Sequence, residues 1–155
     1  MTQPQRRRLL RQVLAWLMLG SAARLAAQPV SAPVFSTVVT PPEHRWYAAA
    51  AAMRRLAESW GDQAYGAVLV LDQELIGEGP SRVVLRRDAS AHAEREAIRD
   101  AQRRLKRQRL DGSVLYSTSR PCAMCEAAAA AAGVSRMVFG ERLHDAGAPR
   151  PAATP

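Results

Sequence analysis

Between positions 46 and 60 the chain reads WYAAAAAMRRLAESW, rich in strong helix formers and free of glycine and proline, which predicts a helix from Trp46 to Trp60. The pattern then changes. Tyr65 to Leu71 (YGAVLVL) and Leu75 to Gly79 (LIGEG) read as two strands of a hairpin turning at Asp72, Gln73 and Glu74. Val68 to Leu71 and Val114 to Tyr116 are short apolar runs bounded by Gly, Asp or Ser, which suits strands buried on both faces. Between Glu94 and Leu110, Ala97, Ala101 and Leu105 recur at helical spacing, with Arg95, Arg99, Gln102, Arg103 and Lys106 on the other side. Glu126 with Ala127 to Ala132 predicts a further helix of small side chains. Helices alternating with strands predict an α/β fold, a sheet with helices packed on its faces.

The segments outside this alternation look different in kind. Gln5-Arg6-Arg7-Arg8-Leu9-Leu10-Arg11 resembles a twin-arginine export signal, and the apolar stretch from Val13 to Ala23 is too short to span a bilayer comfortably. Residues 1–32 are therefore expected to be a cleavable leader with its processing region, cut after Ala27 or Ala32, and the mature chain periplasmic and without a membrane span. The alternative is a basic N-terminus on a cytoplasmic protein. Residues 33–42 read as a Pro- and Thr-rich linker, 43–147 as the folded domain, and 148–155 as a frayed tail.

Charge changes meaning once that division is made. The chain carries 22 bases against 14 acids, but the first 27 residues hold five arginines and no acid, so the remainder stands at 17 against 14, a net +3. The basic run Arg95, Arg99, Arg103, Arg104, Lys106, Arg107 and Arg109 reads as a solvated helix face. It has no interleaved aromatic residue on which bases would stack, which disfavours a long polynucleotide partner.

Candidate chemistry lies in two short segments, His92-Ala93-Glu94 and Pro121-Cys122-Ala123-Met124-Cys125. Together they read H-x-E and P-C-x-x-C, the nucleobase-deaminase zinc signature. One imidazole and two thiolates are N and S ligands suited to zinc, and three protein ligands leave a fourth position open, as in a catalytic site. Cys122 and Cys125 are the only cysteines; their spacing puts them in the first turn of a helix entered at Pro121. Asp88 or Ser90 is placed to cap a second helix carrying His92, so that two positive helix ends face one metal and favour thiolate. Bound zinc lowers the pKa of its water to roughly 7. Glu94, not itself a ligand, is the candidate proton carrier between that water, a ring nitrogen and the departing amine. A redox dithiol and a non-catalytic zinc-binding domain are the competing readings of the same residues. His44 and His144 are expected in solvent.

Around these motifs the order YGAVLVL, LIGEG, AHAE, LYSTSRPCAMC and VSRMVFG resembles the cytidine-deaminase-like superfamily, in particular its tRNA adenosine deaminase and guanine deaminase branch, from about Glu43 to Gly147. The resemblance implies a three-layer α/β/α fold with a central mixed sheet. Fifteen residues after Gly140 are too few for the closing strand and helix of relatives, which implies that these are truncated. It also implies a homodimer and a small nucleobase or nucleoside substrate, with tRNA as the alternative. Ser81, Ala93 through its backbone N–H, and Asp145 are the implied substrate contacts. Three departures bear on specificity: Ser81 stands where relatives carry Asn, Arg120 where they carry Glu, and Ala64 where they carry Pro.

Overall fold

The computed structural model describes residues 42–153. The expected leader and all but the last residue of the expected linker lie outside them. Helix α1 spans His44–Ser59, strand β1 Gly66–Leu71 and β2 Glu74–Pro80. A single turn, α2, follows at Val83–Arg86, and then come α3 (Ala93–Leu105), β3 (Val114–Ser117), α4 (Ala123–Ala132), β4 (Arg136–Phe139) and β5 (His144–Gly147). No described helix is long and apolar enough to cross a membrane.

The strands form one mixed sheet in the order β2-β1-β3-β4-β5, with β3 and β4 parallel and the other pairs antiparallel. Its register explains the two buried faces. Leu69, Leu115 and Met137 align across β1, β3 and β4, and the adjacent row is Val68, Tyr116 and Val138. Side chains alternate along a strand, so the two rows point to opposite faces. The first row packs with Ile98, Ala101, Leu110, Ala129 and Ala132 under α3 and α4; the second packs with Ala50, Trp46 and Met53 of α1. This is the expected α/β/α layering.

Two expectations change in detail. A fifth strand does form after Gly140, only four residues long, and no helix follows it among the described residues. The buried face of α3 consists of Ala93, Ala97, Ile98 and Ala101, while Leu105 at its last turn is 39% exposed. Lys106 in the left-handed region (φ 51°) ends the helix, and the chain turns back to bury Leu110 instead.

Glycines set how near the helices come. A Cβ on Gly79 would fall on the backbone of Ala93 and Ala97, and one on Gly77 on Ala97 and Ala101. With Ala67, Ala93 and Ala97 packed together beside them, the N-terminal turn of α3 lies directly on β2 and β1.

Candidate metal and catalytic site

Each motif begins a helix. His92 is the N-cap of α3 and Cys122 the N-cap of α4, both with extended backbone (φ −64°, ψ 152° and φ −78°, ψ 166°). Neither Asp88 nor Ser90 caps α3; Asp88 instead accepts the Ser90 N–H at 2.8 Å and shapes the turn that leads into it. Neither N-cap side chain bonds its own helix, so both are left to face each other across the gap between the two N-termini.

His92 Nδ1 lies 3.6 Å from Cys122 Sγ and 3.5 Å from Cys125 Sγ, and the three donor atoms lie within 4.8 Å of one another. Ligands at ordinary Zn–N and Zn–S bond lengths around a tetrahedron are about 3.6 Å apart. The residues therefore fit zinc in both donor chemistry and spacing. No other His, Cys, Asp or Glu joins the group among the described residues, which matches the open fourth position of a catalytic site. Burial pushes the Cys125 thiol up, and the neighbouring Glu94 carboxylate adds to that. A divalent cation is what reverses this and makes the sulfur a thiolate.

Glu94 sits in the first turn of α3, 6% exposed, with its Oε2 accepting from Cys125 Sγ at 3.4 Å. Burial raises its carboxyl above the ordinary range, against a lowering by its own backbone N–H, the Cys125 contact and His92. Burial thus favours the protonated form, which suits a carboxylate that must take up a proton from water.

His92, Ala93, Glu94 and Cys122 line one wall of a cavity of about 240 Å³. Gln63, Tyr65, Ser119 and Arg120 line the rest. These four come from the residues just before β1 and just after β3, neighbouring strands tied at that end by Thr118 N–H to Gly66 O (2.9 Å) and Gly66 N–H to Thr118 Oγ1 (3.1 Å). Sequence reasoning named Arg120 only as a departure and missed Gln63, Tyr65 and Ser119 as lining residues. Their available signal was position: each lies beside a strand end that the motifs share.

Of the implied substrate contacts, Ala93 lines the cavity. Ser81 and Asp145 do not. Ser81 is fully buried, and its hydroxyl donates to Asp62 Oδ1 at 2.9 Å. Asp145 lies on β5, paired with Arg136 at 3.0 Å and accepting the Gly147 N–H. His144, also on β5, is exposed beside the Phe139 ring.

Four residues of the basic run, Arg99, Arg103, Arg104 and Arg109, are ion-paired within the fold. Arg99 and Arg86 both reach the buried Glu96, Arg103 and Arg104 pair with Asp100, and Arg104 also reaches Glu78. In the first turn of α4, Glu126 accepts twice from Arg150 of the expected tail, at 2.7 and 3.0 Å.

Comparison with known proteins agrees with this geometry. The chain is 40% identical over 89 residues to a tRNA-specific adenosine deaminase of Buchnera aphidicola subsp. Schizaphis graminum, covering 57% of this chain and 59% of that one. It is 44% identical over 61 residues to a guanine deaminase of Bacillus subtilis, 39% of either chain. The chain spans a little more than half the length of the first curated relatives it matches. Among solved structures it resembles one from work on A-to-I editing by tRNA:A34 deaminases (TM-score 0.60, 38% identity, 62% of this chain and 70% of that one). The guanine deaminase of Bacillus subtilis is similar at TM-score 0.58 and 34% identity, covering 62% of this chain and 61% of that one. Residues 41–141 match the profile of the cytidine and deoxycytidylate deaminase zinc-binding region, the segment that holds both helix N-termini and the first four strands. The chain belongs to that zinc-binding deaminase family.

Proposed function

We propose that this protein is a zinc-dependent hydrolytic deaminase of a purine or pyrimidine base or nucleoside. The observation that carries the reading is a buried acid, Glu94, beside a zinc-compatible His92, Cys122 and Cys125 group in the wall of a cavity sized for a single heterocycle. Zinc supplies the Lewis acidity that lets water ionise near neutral pH. Glu94 Oε2 takes one proton from that water and delivers it to the ring nitrogen beside the amine-bearing carbon. After the C–O bond forms, the same carboxyl carries the second proton to the amine, the C–N bond breaks, and ammonia leaves from a ring that is now a carbonyl with a protonated nitrogen. His92 and the two cysteines hold the metal, and the Ala93 backbone frames the base.

The test is ammonia release from a panel of bases and nucleosides by zinc-loaded protein. Glu94→Ala is expected to lower turnover by at least about 100-fold with zinc content unchanged at one per chain. Retained turnover would remove Glu94 from its role, and bound zinc with no turnover on any substrate would favour a binding domain.

A second reading, deamination of adenosine in tRNA, draws support from the relatives described as tRNA-specific adenosine deaminases. Inosine formation in tRNA with strongly salt-dependent binding would establish it. The ion pairing of the α3 arginines argues for the small substrate.

We further propose a homodimer, with Ala127, Ala130 and Ala131, the small α4 side chains left outside the core, as a close-packing face, and periplasmic export of a chain already folded around zinc, which would keep Cys122 and Cys125 from oxidation. Replacing Arg6 and Arg7 together by Lys is expected to hold the protein in the cytoplasm, scored by cell fractionation; unchanged periplasmic protein would end the export proposal.

A further inference from the structure

The cavity has an unbalanced rim. At about 240 Å³ it takes a base but not a whole nucleotide, so any sugar and phosphate on that base must lie at the mouth. The one carboxylate on its lining is Glu94, nearly out of solvent, whereas Arg120, Gln63 and Tyr65 are exposed. Arg120 makes no ion pair among the described residues. Glu126, whose carboxyl feels the Arg120 charge, is already held by two bonds from Arg150. Arg120 also stands two residues before the N-cap of the ten-residue α4, so its guanidinium and the positive end of that helix act on the same side of the mouth.

We propose that Arg120 is a specificity-determining residue that anchors a phosphate carried on the sugar of a nucleotide whose base enters the cavity. This rests on the deaminase reading for the identity of the base. A guanidinium presents a planar fork of donors matched to phosphate oxygens, and with no ion pair to Arg120 among the described residues that fork is available. A nucleoside 5′-monophosphate and the chain of a short RNA both supply such a phosphate, and the anchoring chemistry is shared.

The experiment measures equilibrium binding to the zinc-loaded full chain by calorimetry at low salt. The ligands are inosine, xanthosine and uridine, their 5′-monophosphates, and trinucleotides with each nucleoside in the middle. The phosphate-bearing form of at least one is expected to bind about tenfold more tightly than its nucleoside. Arg120→Ala should erase that ratio and Arg120→Glu reverse it. Arg107→Ala, beyond the far end of the 13-residue α3 and so about 20 Å away, should leave the ratio unchanged. A preference seen with the monophosphate assigns the free nucleotide as source, and one seen with the trinucleotide alone assigns the RNA chain. Equal affinity with and without phosphate, no binding of any ligand, or equal weakening of both forms by Arg120→Ala would overturn the proposal. Because bound products are read, a chain that anchors phosphate yet releases no ammonia from any substrate refutes the deaminase reading and leaves the anchor standing.

Discussion

Asp62 shows how one side chain far from either motif shapes the site. Its carboxylate accepts the Ser81 hydroxyl at 2.9 Å, the Gln63 N–H at 2.7 Å and the Leu85 N–H at 2.8 Å. Ser81 has a single proton to give, and Asp62 takes it, so the hydroxyl at the position where relatives carry Asn is spent inside the protein. Burial acts to raise the Asp62 carboxyl, but the three bonds outweigh it and hold it below the ordinary value of 3.8. The unfolded chain therefore binds the proton more readily than the folded one. The stabilisation is full above about pH 5 and is lost as pH falls through the lowered folded value. Asp62→Asn should flatten the acid limb of a urea-denaturation series below about pH 4. Asp62→Ala should cost about 2 kcal/mol at pH 7, since it strands a buried hydroxyl and two N–H groups. His92, Glu94, Cys122 and Cys125 were legible because ligand type and spacing are local properties. The Ser81 partner was not, because it lies nineteen positions away.

Among the elements, the pairing of β2 with α3 decides where Glu94 sits. Gly79 lets the backbone at Ala93 rest on the strand, one residue from Glu94 and from His92. Gly79→Ala should push the α3 N-terminus off the sheet, costing about 1–3 kcal/mol in chemical denaturation and weakening zinc affinity in a competition titration. A stable variant with unchanged zinc affinity would show that another contact sets the helix position. Strands β1, β2 and β3, with α1 and α4, could be read from apolar runs and alanine content; β5, His144–Gly147, carries no apolar run and could not. The helical stretch of α3 could also be read. Its last turn could not. Leu105 continues the Ala97 and Ala101 spacing and Leu110 does not, yet Leu110 is the one buried, because of the left-handed stop at Lys106 and the space under α4.

At the level of the complete domain, metal and fold are coupled, because the ligands come from two helices on one side of the sheet. Zinc at about 100 times its dissociation constant adds about 2.7 kcal/mol to stability. Chelation should therefore lower the melting temperature by about 10 °C, with recovery on adding zinc back. Cys125→Ser should show neither change, and an unaltered melting temperature in the parent chain on chelation would indicate a fold independent of the ion. The domain also settles its own charge. Arginines that look like a basic face along α3 are bonded to Glu96, Asp100 and Glu78, two of them one helical turn away and the third across on β2.

The grouping of His92, Cys122 and Cys125 with Glu94 beside them and the layered α/β plan could be expected from the chain alone, because H-x-E, P-C-x-x-C and the periodicities of two and 3.6 residues are properties of near neighbours. The cavity lining, the loss of Ser81 to Asp62, the placing of Asp145 on β5 and the lack of an ion pair at Arg120 among the described residues emerged from the folded molecule. Each depends on which distant segments the sheet register brings side by side, and a hydrogen bond or an ion pair across that distance leaves no periodic mark in the sequence.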